Sequence, residues 1–235
     1  MSTPRVAVVT GASSGIGAGL VEAYRKSGYS VVATSRSITP HDDPGIVTVR
    51  GDIAERGTAE HVVAAALENF GRIDTLVNNA GVFMAKRFTD YSLDDFRTMM
   101  GTNLFGFFHM TQLALPELVR SGDGHIVNVS CTLAENADAR VPSVLTSVTK
   151  GGLSAATRSL AIEHARQGVR VNAVSPGVID TPMHDPSARD ALAHMQPLDR
   201  IGNISDIVDA VLYLEGAAFV TGEILHVDGG QIAGH

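Results

Sequence analysis

Short apolar runs alternate with longer amphipathic segments along the whole chain. The short runs are typical of strands, and the longer segments repeat apolar residues at helical spacing. This alternation predicts parallel strands joined by crossover helices, and several runs are apolar on both faces, as in a sheet covered on both sides. We therefore expect an α/β fold with a doubly wound sheet of about seven parallel strands and helices on both faces. The strands are predicted within RVAVVT, YSVVATS, GIVTVRGD, RIDTLVNNAG, GHIVNVS, VRVNAVSPG and EILHVDGG.

Glycine closes several of the helical segments, as a helix stop does. One long irregular insertion, IDTPMHDPSARDALAHMQPLDRIG, separates the sixth strand from the last helix. Loops of that length in compact domains commonly cover a site, so residues 179–201 are predicted to form a substrate loop. With no linker or repeat, residues 1–235 are expected to form one domain. Helices are predicted over GIGAGLVEAYRKSG, GTAEHVVAAALENFG, SLDDFRTMMGTNLFGFFHMTQLALPELVRSG, residues 144–167 and ISDIVDAVLYLEG.

Composition narrows the classes of partner. The 235 residues carry a net charge of −7 without a basic stripe, which argues against nucleic acid and anionic membranes and favours small molecules. No apolar run is long enough to span a membrane, and the start, MSTPRVAVVT, has no signal-peptide pattern, so a cytoplasmic location is expected. The single cysteine, Cys131, agrees with a reducing compartment. The histidines show no ligand spacing such as HExxH, so no catalytic metal is expected.

A glycine-rich turn, TGASSGIG at residues 10–17, follows the first predicted strand and opens the first predicted helix. In this context backbone amides and a helix N-terminus can bind a pyrophosphate. Glycine allows the tight turn, the close approach of phosphate and the close packing of helix on strand. The pattern predicts a Rossmann-type dinucleotide site with contacts from Gly11, Ser13, Ser14, Gly15, Ile16 and Gly17.

The spacing TGxxxGxG, together with NNAG at residues 78–81, resembles the short-chain dehydrogenase/reductase family, and the resemblance extends over essentially the whole chain. It implies that Asp52 and Ile53 contact the adenine, and that small residues after the fourth strand leave room for the ribose. It also implies subunit contacts that form a homodimer or a 222-symmetric homotetramer. The remaining cofactor contacts implied by the resemblance are Asn79, Ala80, Gly81, Pro176, Gly177, Ile179 and Thr181.

The end of the second strand, Thr34-Ser35-Arg36, has no acidic side chain to bind a ribose 2′-hydroxyl. The Arg36 guanidinium suits a 2′-phosphate, and Ser35 adds a hydroxyl without repulsion. NADP is therefore favoured over NAD. The alternative, that Arg36 is an ordinary solvated side chain at a strand end, stays open.

In this family a tyrosine transfers the proton, and a lysine one helical turn later lowers the pKa of that tyrosine and also binds the nicotinamide ribose. An asparagine holds a relay water, and a serine positions the substrate oxygen. Asn103 and Lys150 match the asparagine and the lysine. Cys131 occupies the serine position, between Ser130 and Thr132, either of which could substitute for it. The tyrosine position is Thr146, and the segment from Cys131 to Lys150 is about two residues longer than usual. The four tyrosines, Tyr24, Tyr29, Tyr91 and Tyr213, lie on other elements.

Three hypotheses follow. In the first, the chain is a reductase with another proton source, namely water held by Asn103 and Lys150, Lys150 itself, or His184 in the insertion. In the second, the chain binds NADP and has a regulatory or scaffolding role without turnover. The third hypothesis gives Cys131 the role of a nucleophile or Lys150 that of an amine catalyst. The substrate pocket is expected to be apolar, with Val82, Phe83, Met84, Leu133, Ala134 and Met183 on its walls.

Overall fold

The fold is a single seven-stranded parallel sheet with helices on both faces, as predicted. The computed structural model describes residues 3–234; Met1, Ser2 and His235 lie outside that range. All neighbouring strands pair in parallel in the order β3-β2-β1-β4-β5-β6-β7, so the direction of strand addition reverses between β1 and β4. The strands are β1 Val6–Thr10, β2 Ser30–Ser35, β3 Ile46–Arg50, β4 Thr75–Asn78, β5 Gly124–Val129, β6 Val169–Pro176 and β7 Ile224–Val227.

Two apolar clusters cover the faces of the sheet. Alternate residues of β1 point to opposite faces, so Val9 packs with one cluster and Val8 with the other. One cluster includes α1 and α7, and the other α2, α4 and a part of α5. No helix within residues 3–234 combines the length and the apolar character needed to cross a membrane. The helices are α1 Gly15–Lys26, α2 Arg56–Phe70, α3 Leu93–Met99, α4 Gly106–Ser121, α5 Val144–His164, α6 Arg189–Ala193 and α7 Ile204–Gly216.

The long helix predicted over residues 92–122 is interrupted. It begins with a capping box between Ser92 and Asp95, continues as α3, widens to a π-helical segment at Met100–Phe105, and continues as α4. A π-helical segment holds an extra residue per turn and often marks a functional site, and this one contains Asn103. The period of apolar residues does not reveal such a local insertion.

The insertion after β6 is partly ordered rather than wholly irregular. Ile179 and Gly202 form an isolated bridge that closes the base of the loop. Between them lie a 3-10 turn at Pro186–Ala188 and the short helix α6. The insertion is therefore a closed flap with its own helical turns.

A buried polar cluster lies at the amino edge of the sheet. Glu215 accepts hydrogen bonds from Tyr24, Tyr29, Thr75 and His125, at 2.9 to 3.1 Å. Burial acts to raise the pKa of Glu215, but the bonds from His125 and Thr75 and the charge of Arg5 outweigh it and hold the pKa at about 2. Burial lowers the pKa of His125 despite its hydrogen bond to Glu215. Two of the tyrosines thus serve the fold, on the edge remote from the glycine-rich turn.

Candidate active site

A cavity of about 530 Å³ lies at the carboxyl ends of the first six strands, where the strand order reverses. Nearly all the site residues predicted from the sequence line it; Asn103 and Thr132 are the exceptions. Those that line it are Gly11, Ser13, Ser14, Gly15, Ile16, Gly17, Ser35, Arg36, Asp52, Ile53, Asn79, Ala80, Gly81, Ser130, Cys131, Thr146, Lys150, Pro176, Gly177, Ile179 and Thr181.

The glycine-rich turn has the geometry of a phosphate cradle. Gly11 has φ +65°, a conformation that side chains rarely adopt, and a Cβ on Gly17 would lie 2.2 Å from the carbonyl oxygen of Gly11. Ser14 is the N-cap of α1 but makes no side-chain capping bond. The first amides of α1 are therefore available to an anion in the cavity.

Thr10 and Asn79 fasten this turn to the end of β4. The Thr10 hydroxyl accepts hydrogen bonds from the amides of Asn79 and Ala80, at 3.0 and 2.9 Å. The Asn79 side chain donates to the carbonyl of Thr10 at 2.8 Å and to that of Gly11 at 3.2 Å. The motif after β4 thus shapes the turn after β1. The positions of Thr10 and Asn79 in the sequence do not by themselves predict these hydrogen bonds.

The outer end of the cavity carries hydroxyls and one guanidinium. Arg36 is 68% exposed and lies 4.0 Å from Asp52, a weak contact at this exposure. The Ser37 hydroxyl donates to Ser13 at 3.1 Å, and the Ser35 hydroxyl accepts from the Ser37 amide at 3.2 Å. Ser37 also lines the cavity. The sequence prediction missed Ser37, although it directly follows Arg36.

Lys150 lies at the inner end of the cavity. Its side chain is buried, and Nζ donates to the carbonyl oxygen of Val129 at 2.6 Å. Burial lowers the pKa of Lys150, while the nearby Cys131 acts in the opposite direction. A Cβ added to Gly81 would lie 2.7 Å from Nζ, so the glycine after β4 makes room for the ammonium.

Thr146 lies one helical turn before Lys150 on α5, and both side chains line the cavity. Thr146 is 1% exposed, and its hydroxyl has no hydrogen-bond partner within the described chain. None of the four tyrosines lines the cavity. Of the two not bound to Glu215, Tyr91 donates to the carbonyl of Met84 at 2.8 Å, and Tyr213 is exposed on α7.

The three residues after β5 have different surroundings. Ser130 lines the cavity, but its hydroxyl donates to the carbonyl of Lys150 at 3.1 Å and contacts Ser154. Thr132 is buried outside the cavity and its hydroxyl binds Asp228 at 3.1 Å, so it is not placed to substitute for a substrate-binding serine. Cys131 lines the cavity. Burial raises the pKa of its thiol despite the charge of Lys150, which disfavours a thiolate nucleophile.

Asn103 is buried beside the cavity rather than in its wall. Its side-chain oxygen accepts from the amide of Val82 at 2.8 Å, and its nitrogen donates to the carbonyl of Val82 and to Thr149, both at 3.0 Å. These bonds use both N–H groups of the side-chain amide and one of the two lone pairs of its oxygen, so the amide could bind the predicted relay water only as an acceptor. The amide instead connects the segment after β4 to α5.

The flap after β6 and the segment after β4 give the cavity an apolar mouth. The sequence-based prediction was correct for Val82, Phe83, Leu133 and Met183 but wrong for Met84 and Ala134, which lie outside the lining. His184 also lines the mouth, and burial lowers its pKa despite the charge of Asp180. Val141, Leu192, Met195 and Gln231 also line the cavity and were not anticipated, since only the folded chain brings them together.

Within residues 3–234 no group of three or more histidine, cysteine, aspartate or glutamate side chains is placed to hold a metal ion. The ionisable side chains on the cavity wall are Arg36, Asp52, Cys131, Lys150 and His184. Their chemistry is binding of anions and transfer of protons.

A family model described as enoyl-(acyl carrier protein) reductase matches residues 11–231. The chain belongs to the short-chain dehydrogenase/reductase family. Among curated members, it is 39% identical to ketoacyl reductase 2 of the granaticin polyketide synthase of Streptomyces violaceoruber, over 96% of this chain and 95% of that protein. It is 36% identical to L-fucose dehydrogenase of Bos taurus, over 98% and 90% of the two chains.

Solved structures of short-chain dehydrogenases/reductases superpose on the whole chain. ElxO with NADP bound has a TM-score of 0.91 and 26% identity, covering 98% of this chain and 100% of that one. A 3-ketoacyl-(acyl carrier protein) reductase from Brucella melitensis complexed with NADH has a TM-score of 0.87 and 30% identity, with the same coverage. The family therefore includes members of this fold that bind either nicotinamide cofactor.

Proposed function

We propose that this short-chain dehydrogenase/reductase is an NADP(H)-dependent oxidoreductase for a small carbonyl or alcohol substrate, with a non-standard proton donor. The observation that carries the proposal is one continuous cavity that joins an uncapped, glycine-rich helix N-terminus to the buried Lys150. A nicotinamide cofactor needs its phosphates bound at the first end and its reactive ring at the second.

The residues on the wall suit such a cofactor. The turn from Gly11 to Gly17 is placed to bind the pyrophosphate, and Asp52 with Ile53 to contact the adenine. Asn79, Ala80 and Gly81 leave space for a ribose, and Lys150 has N–H groups to donate to it. The nicotinamide carboxamide would lie against Pro176, Gly177, Ile179 and Thr181. When bound, the nicotinamide exchanges a hydride with a substrate carbon.

The preference for NADP rests on the outer end of the cavity. Arg36 and the hydroxyls of Ser13, Ser35 and Ser37 form a donor set for a 2′-phosphate, and residues 34–37 contain no carboxylate. Asp52 is only weakly engaged with Arg36, so a phosphate dianion is expected to displace it.

The proton donor is the least ordinary part of the proposal. Thr146 stands in the family's tyrosine position, and a threonine hydroxyl neither titrates near neutrality nor reaches as far as a phenol. The N–H donors nearest to the substrate space are Lys150, at its inner end, and His184, in the flap. Lys150 is better placed, because its depth puts it where the nicotinamide ring belongs, and burial lowers its pKa, which makes the ammonium a stronger acid.

A second candidate function is an NADP-binding protein with little or no turnover and a regulatory or scaffolding role. The observation that favours it is the buried, unpartnered hydroxyl of Thr146 in the position of the missing phenol. In support of retained binding, a Tyr→Phe variant of ElxO has been solved with NADPH bound. Binding without catalysis is therefore a coherent use of this cavity.

The experiment that tests the proposal has two parts. Titration of NADPH and NADH, followed by cofactor fluorescence, is expected to show tighter binding of NADPH. NADPH consumption is then measured over ketones, diketones, quinones and imines, with Lys150→Met as the inactive reference. NADPH binding without turnover of any substrate would leave the regulatory role, and failure to bind either cofactor would overturn both candidates.

Self-association and a cytoplasmic location also belong to the proposal. Large apolar side chains are exposed on α5 and on the helix before it, and others near the end of α7, which supports a homotetramer with two kinds of contact. They are Phe105, Phe108, Val144 and Val148 in the first group, and Tyr213 and Phe219 in the second. The single, free Cys131 agrees with the cytoplasm. Light scattering on the purified protein tests the assembly.

A further inference from the structure

The inner end of the cavity offers hydrogen-bond donors that no acceptor of the described chain fills. The Lys150 ammonium has three N–H groups, and its only hydrogen-bond partner within residues 3–234 is the carbonyl of Val129. The Thr146 hydroxyl, one turn earlier on the same helix, is 99% buried and has no partner at all there. The ribose assigned to Lys150 above would use one of its N–H groups, which leaves a third N–H group and the Thr146 hydroxyl. Because buried polar groups are normally satisfied, these two indicate a further acceptor.

The surrounding side chains do not supply that acceptor. The hydroxyl of Ser130 and the amide of Asn103 are already bonded to backbone groups and to other side chains. Among the described residues, the only carboxylate on the cavity wall is Asp52, at the adenine end. The acceptor therefore has to arrive with a bound molecule.

An ammonium and a hydroxyl together favour an anionic oxygen, because charge-assisted hydrogen bonds are the strong ones. Thr146 lines the cavity, and apolar side chains make up much of the wall that it shares. Val82, Phe83, Leu133, Val141 and Met195 can contact a flat or aromatic skeleton. The donors and the wall together describe a ligand with an acidic hydroxyl on an apolar frame.

We propose, building on the oxidoreductase function above, that the substrates are ketones with their own acidic hydroxyl, a phenol or an enol, beside the reacting carbonyl. This hydroxyl binds Lys150 and Thr146 and takes the place of the missing tyrosine. Thr146 is then a substrate-binding and specificity-determining residue rather than a lost catalytic one.

The proposed reduction takes a hydride from NADPH and a proton from the substrate's own hydroxyl. A C–H bond forms at the carbonyl carbon with the hydride that the bound NADPH supplies, and the π electrons of the C=O bond move to its oxygen. The neighbouring substrate hydroxyl gives its proton to that oxygen, so that an alcohol forms and a phenolate or enolate remains. Lys150 and Thr146 stabilise this anion, which regains a proton from solvent on release. NADP⁺ is the oxidised product.

Binding tests the proposal without turnover. Beside neutral NADPH the substrate hydroxyl keeps its proton until the hydride moves, whereas the positive nicotinamide ring of NADP⁺ favours the anion in a complex that cannot react. An ortho-hydroxyaryl ketone absorbs at longer wavelength as its phenolate, so ortho-hydroxyacetophenone and acetylacetone are titrated at neutral pH into protein saturated with NADP⁺. The anion band is expected with the natural protein, with at least tenfold weaker binding in Thr146→Val and no band in Lys150→Met. Ser147→Ala is the matched control, because that hydroxyl bonds to the carbonyl of Leu133 and lies outside the cavity.

Turnover is then compared between matched substrates, each hydroxyl ketone against its methyl ether and each 1,3-diketone against its dimethylated, non-enolisable analogue. The natural protein is expected to prefer the acidic member at least tenfold, and Thr146→Tyr to lose that preference. Equal turnover of the paired substrates, or no anion band, would overturn the proposal while leaving the oxidoreductase function standing. Failure of Thr146→Tyr to consume NADPH with any ketone would instead count against that function.

Discussion

The Nζ atom of Lys150 lies 2.6 Å from the carbonyl oxygen of Val129, the last residue of β5. This bond fixes the ammonium of α5 against the carboxyl end of the central sheet, under the space left by Gly81. A buried cation with a single carbonyl partner destabilises the folded state. Its position is explained by the cavity, where its free N–H groups can bind cofactor and substrate.

Replacing Lys150 with methionine is therefore expected to stabilise the fold while removing activity. Burial lowers the pKa of Lys150, which means that the charged ammonium destabilises the folded chain relative to the unfolded one, and this cost disappears when methionine replaces it. A gain of roughly 1–3 kcal/mol in the free energy of unfolding is expected from urea denaturation, as for other buried ionic groups replaced by apolar ones.

The matched control is Lys86→Met. Lys86 forms a half-exposed pair with Asp95 at 2.7 Å outside the cavity, and its loss should change stability by less than about 1 kcal/mol. If Lys150→Met proved strongly destabilising instead, the ammonium would be a structural element of the fold and not a group held ready for a ligand.

Arg36→Met is expected to weaken NADP binding by roughly tenfold to a hundredfold and to leave NAD binding nearly unchanged, because only NADP carries the 2′-phosphate. Cofactor fluorescence measures both affinities. Arg56→Met serves as the control, since Arg56 pairs with Glu60 on α2 and does not line the cavity. Equal losses for both cofactors in Arg36→Met would refute a 2′-phosphate site at this position.

Acid should destabilise the protein through the Glu215 cluster. Glu215 and His125 both have lowered pKa values in the folded state, so the unfolded chain binds more protons in acid. The contribution of His125 to the free energy of unfolding is complete above about pH 6.5, the ordinary pKa of a histidine, and is lost as the pH falls below that value. Glu215 contributes to the free energy of unfolding above pH 4.5, the ordinary pKa of a glutamate. This contribution, on the order of 3 kcal/mol in total, is lost as the pH falls toward about 2, the pKa of Glu215 in the folded chain.

Urea midpoints across this pH range measure the effect. Glu215→Gln is expected to flatten the dependence below pH 4.5, whereas Asp123→Asn, an exposed carboxylate near Arg5, should leave it unchanged. An unaltered slope in Glu215→Gln would assign the acid sensitivity to other groups.

The fold and the glycine-rich end of the cavity could largely be predicted from the sequence, because their signals are local. The glycine turn at residues 11–17 and the NNAG segment each follow a strand directly, and the topology of a parallel sheet then brings all strand ends to one edge. Thr146 and Lys150 likewise lie one helical turn apart on the same helix, so their side chains fall on the same face. Such short spacings survive folding unchanged.

The remaining features depend on long-range contacts. The hydroxyls of Ser130 and Thr132 are only two residues apart in sequence, yet one faces α5 and the other Asp228, nearly a hundred residues later. The closing of the flap by Ile179 and Gly202, and the presence of Gln231 on the cavity wall, have no local signal. The π-helical turn at Asn103 departs from the period on which helix prediction relies.

The most direct measurement of the central claim is NADPH consumption with plain ketones, made side by side on the natural protein and on Thr146→Tyr. A hydride-transfer cavity that lacks only the family's phenol predicts that the tyrosine variant consumes NADPH faster, by roughly a hundredfold to ten-thousandfold, the usual worth of general acid–base catalysis. If the folded variant binds NADPH but remains as slow as the natural protein on every ketone, the cavity is not a reductase site in need of an acid, and the claim is contradicted.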